Sequence, residues 1–306
     1  MRAEDELLSP EFMARLERLS IIARKVFVGQ LKGEKRSPKY GSSVEFADFR
    51  SYTPGDDFRY VDWNLFGRLD RLFLKLFREE EDLHLFLLVD VSRSMQFGRP
   101  RTKLAYAAQV AAALGFIALT SLERVAVWTF GDGLVDHFRS CRGRHQAPRL
   151  LQFLTEAAHT NGDHPDEEPR RTGLGRSLRE FSLRTKQRGV VTVLSDFLDP
   201  AGYREGLLAL LGGRFDVNVI QVLAGDELVP EITGDLRLRD SEFGDEREVT
   251  VSGSLLAAYK RRLDQYCGEL RTVATAHGCG HALAPATGEA DEFVLEQLRR
   301  ARIVGM

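Results

Sequence analysis

The stretch HLFLLVDVSRSM, residues 84–95, decides the reading of this chain. Leu85 to Val89 form an apolar run with no alternation of polar and apolar positions. Such a run suits a strand of a parallel sheet covered on both faces, because a half-exposed strand alternates with period two. The run stops at Asp90, and hydroxyls follow at alternate positions, Ser92 and Ser94. Asp and Ser after a strand commonly build Asx and serine turns. In an open α/β sheet the same edge is also where ligands gather, beyond the carboxyl ends of the strands.

Downstream the pattern alternates between strand and helix. LAYAAQVAAALGFIALTS (104–121) is long and apolar enough to resemble a membrane span, with Gln109 its one strongly polar side chain. Its bulk is alanine and the strand-like ERVAVWTF (123–130) follows directly, so a helix buried against a sheet is the better expectation. A Gly131-Asp132-Gly133 turn then leads to a short return strand LVDHF (134–138). QAPRLLQFLTEAA (146–158), GLGRSLREFSLRTKQ (173–187) and YREGLLALLGG (203–213) read as helices, and GVVTVLSD (189–196) and FDVNVIQVLA (215–224) as buried strands. TNGDHPDEEPRR (160–171) reads as an exposed acidic loop. DLRLRD (235–240) and REVTVS (247–252) look like a small antiparallel pair, followed by a long helix over 255–278, the short apolar piece HALAPA and a last helix over 291–302. This is βαβ grammar, and the expected fold is α/β: a doubly wound, mostly parallel sheet flanked by helices.

Upstream, residues 11–27 place Phe12, Leu16, Leu19, Ala23 and Val26 at helical spacing and predict an amphipathic helix. The polar stretch over 29–43, with Lys32, Lys35, Arg36 and Lys39, reads as a solvated loop. VEFADFRSYTPGDDFRYVDWNLFGRLDRLFLKLF (44–77) is too aromatic for a linker and too interrupted for a helix; with the turn Pro54-Gly55-Asp56 it predicts short strands and packed loops. The expected division is an N-terminal region over 1–83 and an α/β domain over 84–306, carrying a small β-pair insertion near 232–252 and C-terminal helices.

The 306 residues are 43% apolar and 29% charged, a globular composition, and the net charge of -2 argues against generic nucleic-acid binding. Three widely spaced cysteines and no visible signal peptide make a reducing cytoplasm the expected location. There is no phosphate loop, no HExxH and no nucleophile elbow. Cys267, His277, Cys279 and His281 match no zinc spacing. The acidic run over 79–82 reads as a solvated edge.

Two strands end in aspartate, Asp90 and Asp196, so parallel central strands would bring both carboxylates to one rim. Ser92, Ser94 and Thr172, the last just before a helix, add hydroxyls; Thr172 also fits an N-cap. Two carboxylates with three hydroxyls make an all-oxygen set that suits a hard divalent cation, Mg²⁺ or Mn²⁺. Neutral hydroxyls leave the ion's charge partly unneutralised, and a carboxylate from another molecule could complete the octahedron.

DVSRSM has the D-x-S-x-S form of the metal-ion-dependent adhesion site and resembles that of von Willebrand factor A-like domains, with Thr172 in RTGLGRSL and Asp196 in VLSDF in the other two motif positions. That resemblance implies direct metal coordination by Ser92 and Ser94, direct or water-mediated coordination by Thr172, and mostly water-mediated contacts from Asp90 and Asp196. The stretch RSPKYGSSVEFADFRSYTPGDDFRYVDW closely resembles the signature of the MoxR-associated domain of unknown function 58 family, a likeness running from about Ser37 to the C-terminus. Glu45, Phe46, Arg50, Tyr52, the Pro54-Gly55-Asp56-Asp57 turn, Arg59, Asp62 and Trp63 all match. Asp56, Asp57, Arg59 and Asp62 either bind a partner or form a buried ion-pair network over Trp63 that fastens the N-terminal region to the sheet.

The resulting expectation is a non-enzymatic, metal-dependent protein-interaction module. The resemblance implies a MoxR-type AAA+ ATPase as partner and a chaperone-like role in assembly or maturation of client proteins. The alternative is a metal-assisted hydrolase using the same ion, with Arg93 as a phosphate contact and Asp132 bordering the rim. A structural domain with a vestigial metal site is the third.

Overall fold

A computed structural model describes residues 7–24, 44–79, 83–159, 173–232, 234–239 and 246–306. The chain forms two compact units, residues 26–82 and residues 1–25 together with 83–306.

The larger unit begins with α1 (Pro10–Leu16), started by Ser9, whose hydroxyl accepts from Phe12 N–H, and by Pro10 in the first turn. The helix predicted over 11–27 stops at Leu16, and the chain turns extended as β1 (Ser20–Ile21). Phe12, Leu16 and Leu19 are buried as predicted, Ala23 is half-buried, and Val26 lies outside the described residues. α1 and β1 pack on the long helix described below, and residues 1–25 cluster with the α/β unit.

In the smaller unit, β2 (Val44–Ser51) and β3 (Phe73–Glu79) pair antiparallel, with a register shift between Phe46 and Asp48. Between them Gly55, at φ +108°, makes the tight turn, and α2 (Trp63–Leu69) is capped by Asp62, whose carboxylate accepts from the N–H groups of Asn64 and Leu65.

From β4 (His84–Asp90) the chain runs through α3 (Lys103–Thr120), β5 (Arg124–Gly131), β6 (Gly133–Arg142), α4 (Ala147–His159), α5 (Leu174–Arg184), β7 (Val190–Ser195), α6 (Arg204–Gly212) and β8 (Asp216–Leu223). The short α7 (Gly225–Leu228), the antiparallel pair β9 (Gly234–Arg239) and β10 (Glu246–Val251), the long α8 (Gly253–Ala276), β11 (Gly280–Pro285), an irregular helix over 290–300 and β12 (Val304–Gly305) complete it. β12 pairs antiparallel with β1, which closes the two ends of the unit on each other.

The fold is mixed α/β, with a mostly parallel central sheet flanked by helices. Strand order is β11-β8-β7-β4-β5-β6, all parallel except β6. Successive side chains of β4 face opposite ways. Phe86 and Leu88 join Leu178 and Phe181 of α5, Leu207 and Leu210 of α6 and Leu270 of α8 in one apolar cluster. Leu87 faces α3, where a Cβ on Gly115 would stand 3.5 Å from it and 2.5 Å from Leu150 of α4, so glycine lets α4 close on α3. This accounts for the span-like composition of α3. Among the described residues it is the one helix long and apolar enough to cross a membrane, and 83% of it is buried within the fold.

The direction of winding reverses at β4. The chain passes from β4 outward to β5, then returns to place β7, β8 and β11 on the other side. The carboxyl ends of β4 and β7 therefore flank the switch point, where a crevice opens in sheets of this kind.

Candidate metal centre

β4 ends on Asp90, whose side chain is fully buried. Its Oδ1 accepts from Ser92 N–H at 2.9 Å, an Asx turn, while its Oδ2 accepts from the Ser195 hydroxyl at 2.6 Å. Ser92 starts a short 3₁₀ turn, Arg93–Gln96, and its Oγ lies 3.1 Å from Ser94 Oγ. The Asx turn sets the two hydroxyls side by side.

β7 ends on Ser195, and Asp196 follows, also buried. Asp196 Oδ1 accepts from Leu198 N–H at 3.0 Å, and Ser195 Oγ accepts from Phe197 N–H at 3.0 Å. Phe197 sits at φ +60°, a left-handed conformation that is costly for a bulky residue and marks the loop as tightly constrained. Gln221 Nε2 of β8 donates to the Asp196 carbonyl at 3.2 Å.

Burial and the charge of Asp196 push Asp90 up to about 7, against the pull of its bonds from Ser195 and Ser92. A third carboxylate, Glu227 of α7, stands nearby, joined to Asp196 by Lys103 at the start of α3. Burial alone would pull the Lys103 ammonium down. The charges of Asp196 and Glu227 outweigh that and hold it above its ordinary range.

Asp90, Ser92, Ser94 and Asp196 are thus gathered at one rim, as their spacing predicted. Thr172 lies outside the described residues. The described chain resumes at Gly173, whose N–H donates to Gly131 O at 3.0 Å. Asp132 pairs with Arg176 at 3.5 Å. Lys103, Glu227 and Ser195 were not singled out from sequence. Glu227 lies in the short helix that follows β8, and Lys103 is the first residue of α3; neither position carries a local signal of its partner.

The donor chemistry fits a hard cation. Two buried carboxylates, with the charge of Asp196 raising the cost of ionising Asp90, beside two hydroxyl oxygens, make a rim that a divalent ion would stabilise. Among the described residues no three His, Cys, Asp or Glu side chains gather as a metal cluster, so hydroxyls would have to share the coordination. The same holds for Cys267, His277, Cys279 and His281. His277 caps α8 while His281 lies on β11, where burial pulls its imidazole down.

The signature residues of the smaller unit pair locally. Arg50 binds Asp56 at 2.9 Å, and that bond, with those from Thr53, holds the Asp56 carboxyl down at about 2. Arg59 binds Asp57 at 3.2 Å on the surface. Trp63 is 60% exposed and meets Phe66 edge to face. Trp63 is therefore not buried beneath these two pairs. These are short-range pairs bracing a turn, because each partner lies within six residues of the other.

The family model described as Protein of unknown function DUF58 matches residues 48–266. Uncharacterized protein Rv1480 of Mycobacterium tuberculosis is 27% identical over 278 residues, covering 90% of this chain and 84% of that relative. Among solved structures, the chain is similar to the conserved hypothetical protein BatB from Bacteroides thetaiotaomicron, at 12% identity and a TM-score of 0.39 over 72% of this chain and 98% of that one. It is also similar to a von Willebrand factor type A structure from Catenulispora acidiphila, at 17% identity and a TM-score of 0.32 over 63% and 44% of the two chains.

Proposed function

We propose that this chain, which belongs to the DUF58 family of proteins of unknown function, is a non-enzymatic, metal-dependent protein-interaction module whose larger unit is a von Willebrand factor A-like domain. The observation that carries the reading is the pairing of Asp90 and Asp196, two buried carboxylates at the switch point of the sheet, one of them pushed up to about 7 by burial and by the other's charge. Ser92 and Ser94 would hold Mg²⁺ or Mn²⁺ directly and Asp90 and Asp196 mostly through water, with Thr172 as a further hydroxyl. When bound, the ion supplies positive charge and an open coordination position that a carboxylate of a second protein can fill. Ser195 and the N–H groups of Ser92 and Leu198 fix the orientation of the two carboxylates.

The partner we propose is a MoxR-type AAA+ ATPase, acting with this chain in chaperone-like assembly or maturation of client proteins. That part rests on the likeness of residues 37–63 to the MoxR-associated signature. Capture of partners from native lysate in Mg²⁺, in EDTA, and with Ser92→Ala/Ser94→Ala tests the proposal. Loss of an AAA+ ATPase in the second and third arms supports it, and identical partners in all three overturn it. A phosphatase or nuclease activity lost with the same substitutions would favour metal-assisted hydrolysis instead.

A further inference from the structure

Helix α3 opens with a lysine turned inward. Lys103 is 1% exposed, and its ammonium donates to Asp196 Oδ2 at 2.7 Å and to Glu227 Oε1 at 2.6 Å. The helix does not need either bond to start, since Thr102 Oγ1 caps it by accepting from Ala105 N–H. Burying an ammonium is costly without a partner, but one carboxylate suffices to neutralise it. The second is held in place independently. Glu227 Oε2 accepts from Ala224 N–H at 2.8 Å, and the Glu227 carbonyl accepts from the Tyr259 hydroxyl of α8 at 2.9 Å.

We propose that Lys103 is the resident counter-ion of the metal rim, and that Glu227 retains its ammonium when a divalent cation takes Asp196. This rests on the metal-dependent reading above and adds how that site is regulated. Without a divalent cation, Lys103 supplies the positive charge that Asp196 requires. With one, two cations compete for the same carboxylate and repel each other. Because Glu227 already holds the ammonium, Lys103 gives up Asp196 without becoming a buried charge with no partner. Lys103 therefore lowers the affinity of the rim and Glu227 restores part of it. The outcome is a weak, releasable divalent site, suited to a contact that is made and broken.

The test is Mn²⁺ binding by the whole chain, followed by the paramagnetic resonance of free Mn²⁺. The chains compared are wild type, Lys103→Met, Glu227→Gln, the double variant and Asp90→Ala. Lys103→Met is expected to tighten Mn²⁺ by about tenfold or more, and Glu227→Gln to weaken it by about threefold or more. In the Lys103→Met background, Glu227→Gln is expected to have little further effect, a non-additivity that a merely summed electrostatic field would not produce. Thermal melts without metal show which variants fold. If Lys103→Met alone does not, the double variant, which removes both charges together, carries the test and should bind Mn²⁺ more tightly than wild type. Equal or weaker binding in every folded Lys103 variant overturns the proposal, as does an equal effect of Glu227→Gln in both backgrounds. If wild type shows no Mn²⁺ binding that Asp90→Ala abolishes, the metal-dependent reading falls as well.

Discussion

The Ser195 hydroxyl donates to Asp90 Oδ2 across 2.6 Å, joining the carboxyl ends of β7 and β4 inside the protein. Through this bond one strand end orients the carboxylate of the next. Replacing Ser195 with alanine leaves a buried carboxylate oxygen without that donor, a loss of about 1–3 kcal/mol. Ser195→Ala is therefore expected to lower stability by that amount in denaturant titration at neutral pH. An unchanged midpoint would show that the bond is dispensable.

The pH dependence of the metal-free protein follows from Asp90. Its value rises from the ordinary 3.8 to about 7 on folding, so the folded state binds the proton more tightly than the unfolded chain. The associated stability is fully present below about 4 and is lost as pH rises through about 7, beyond which it changes little. In EDTA, melting temperature should fall between pH 5 and pH 8, and Asp90→Asn should flatten that slope. Saturating Mg²⁺ should flatten it too, by compensating the ionised carboxylate. The same slope in Asp90→Asn as in wild type would rule out Asp90 as its source.

Helices α5 and α6 meet at glycines. A Cβ on Gly206 would stand 2.9 Å from Gly175 Cα and 2.9 Å from Leu178 Cβ, neither of which is the free end of a side chain. Alanine gains about 1 kcal/mol of helix propensity over glycine, whereas forced overpacking costs about 1–3 kcal/mol. Gly206→Ala is expected to be net destabilising by denaturant titration. A stabilised variant would mean that the two helices separate freely.

In the smaller unit, the Asp62 cap and the exposed Trp63 should behave oppositely. Asp62→Ala removes the side-chain acceptor for two N–H groups of α2 and should cost about 1 kcal/mol, seen as faster hydrogen exchange in residues 63–69. Trp63→Ala should change exchange there little, since the indole is largely in solvent. Strong loss of protection in Trp63→Ala would show that the indole is a packing element.

Much of the architecture was legible from residue 84 onward, for one physical reason. A strand buried on both faces must be apolar at every position, as in LFLLV and VVTVL, and a helix between such strands must repeat its apolar positions with the turn. Asp90 and Asp196 could be read as neighbours because strand ends of a parallel sheet share an edge. The end of α1 was not legible. Helical spacing continues past Leu16, but β1 forms because its partner β12 lies at the other end of the chain.

What the sequence by itself determined is the set of oxygens offered at the strand ends, since the end of an apolar run and motif spacing are local or periodic properties. What only the tertiary structure decided is the charge that balances them. Lys103 meets Asp196 and Glu227, 93 and 124 residues further along the chain, and no periodicity connects residues so far apart. A lysine ahead of an apolar helix ordinarily sits in water; here the ends of β7 and β8 bring two carboxylates to it, and their attraction makes its burial stable.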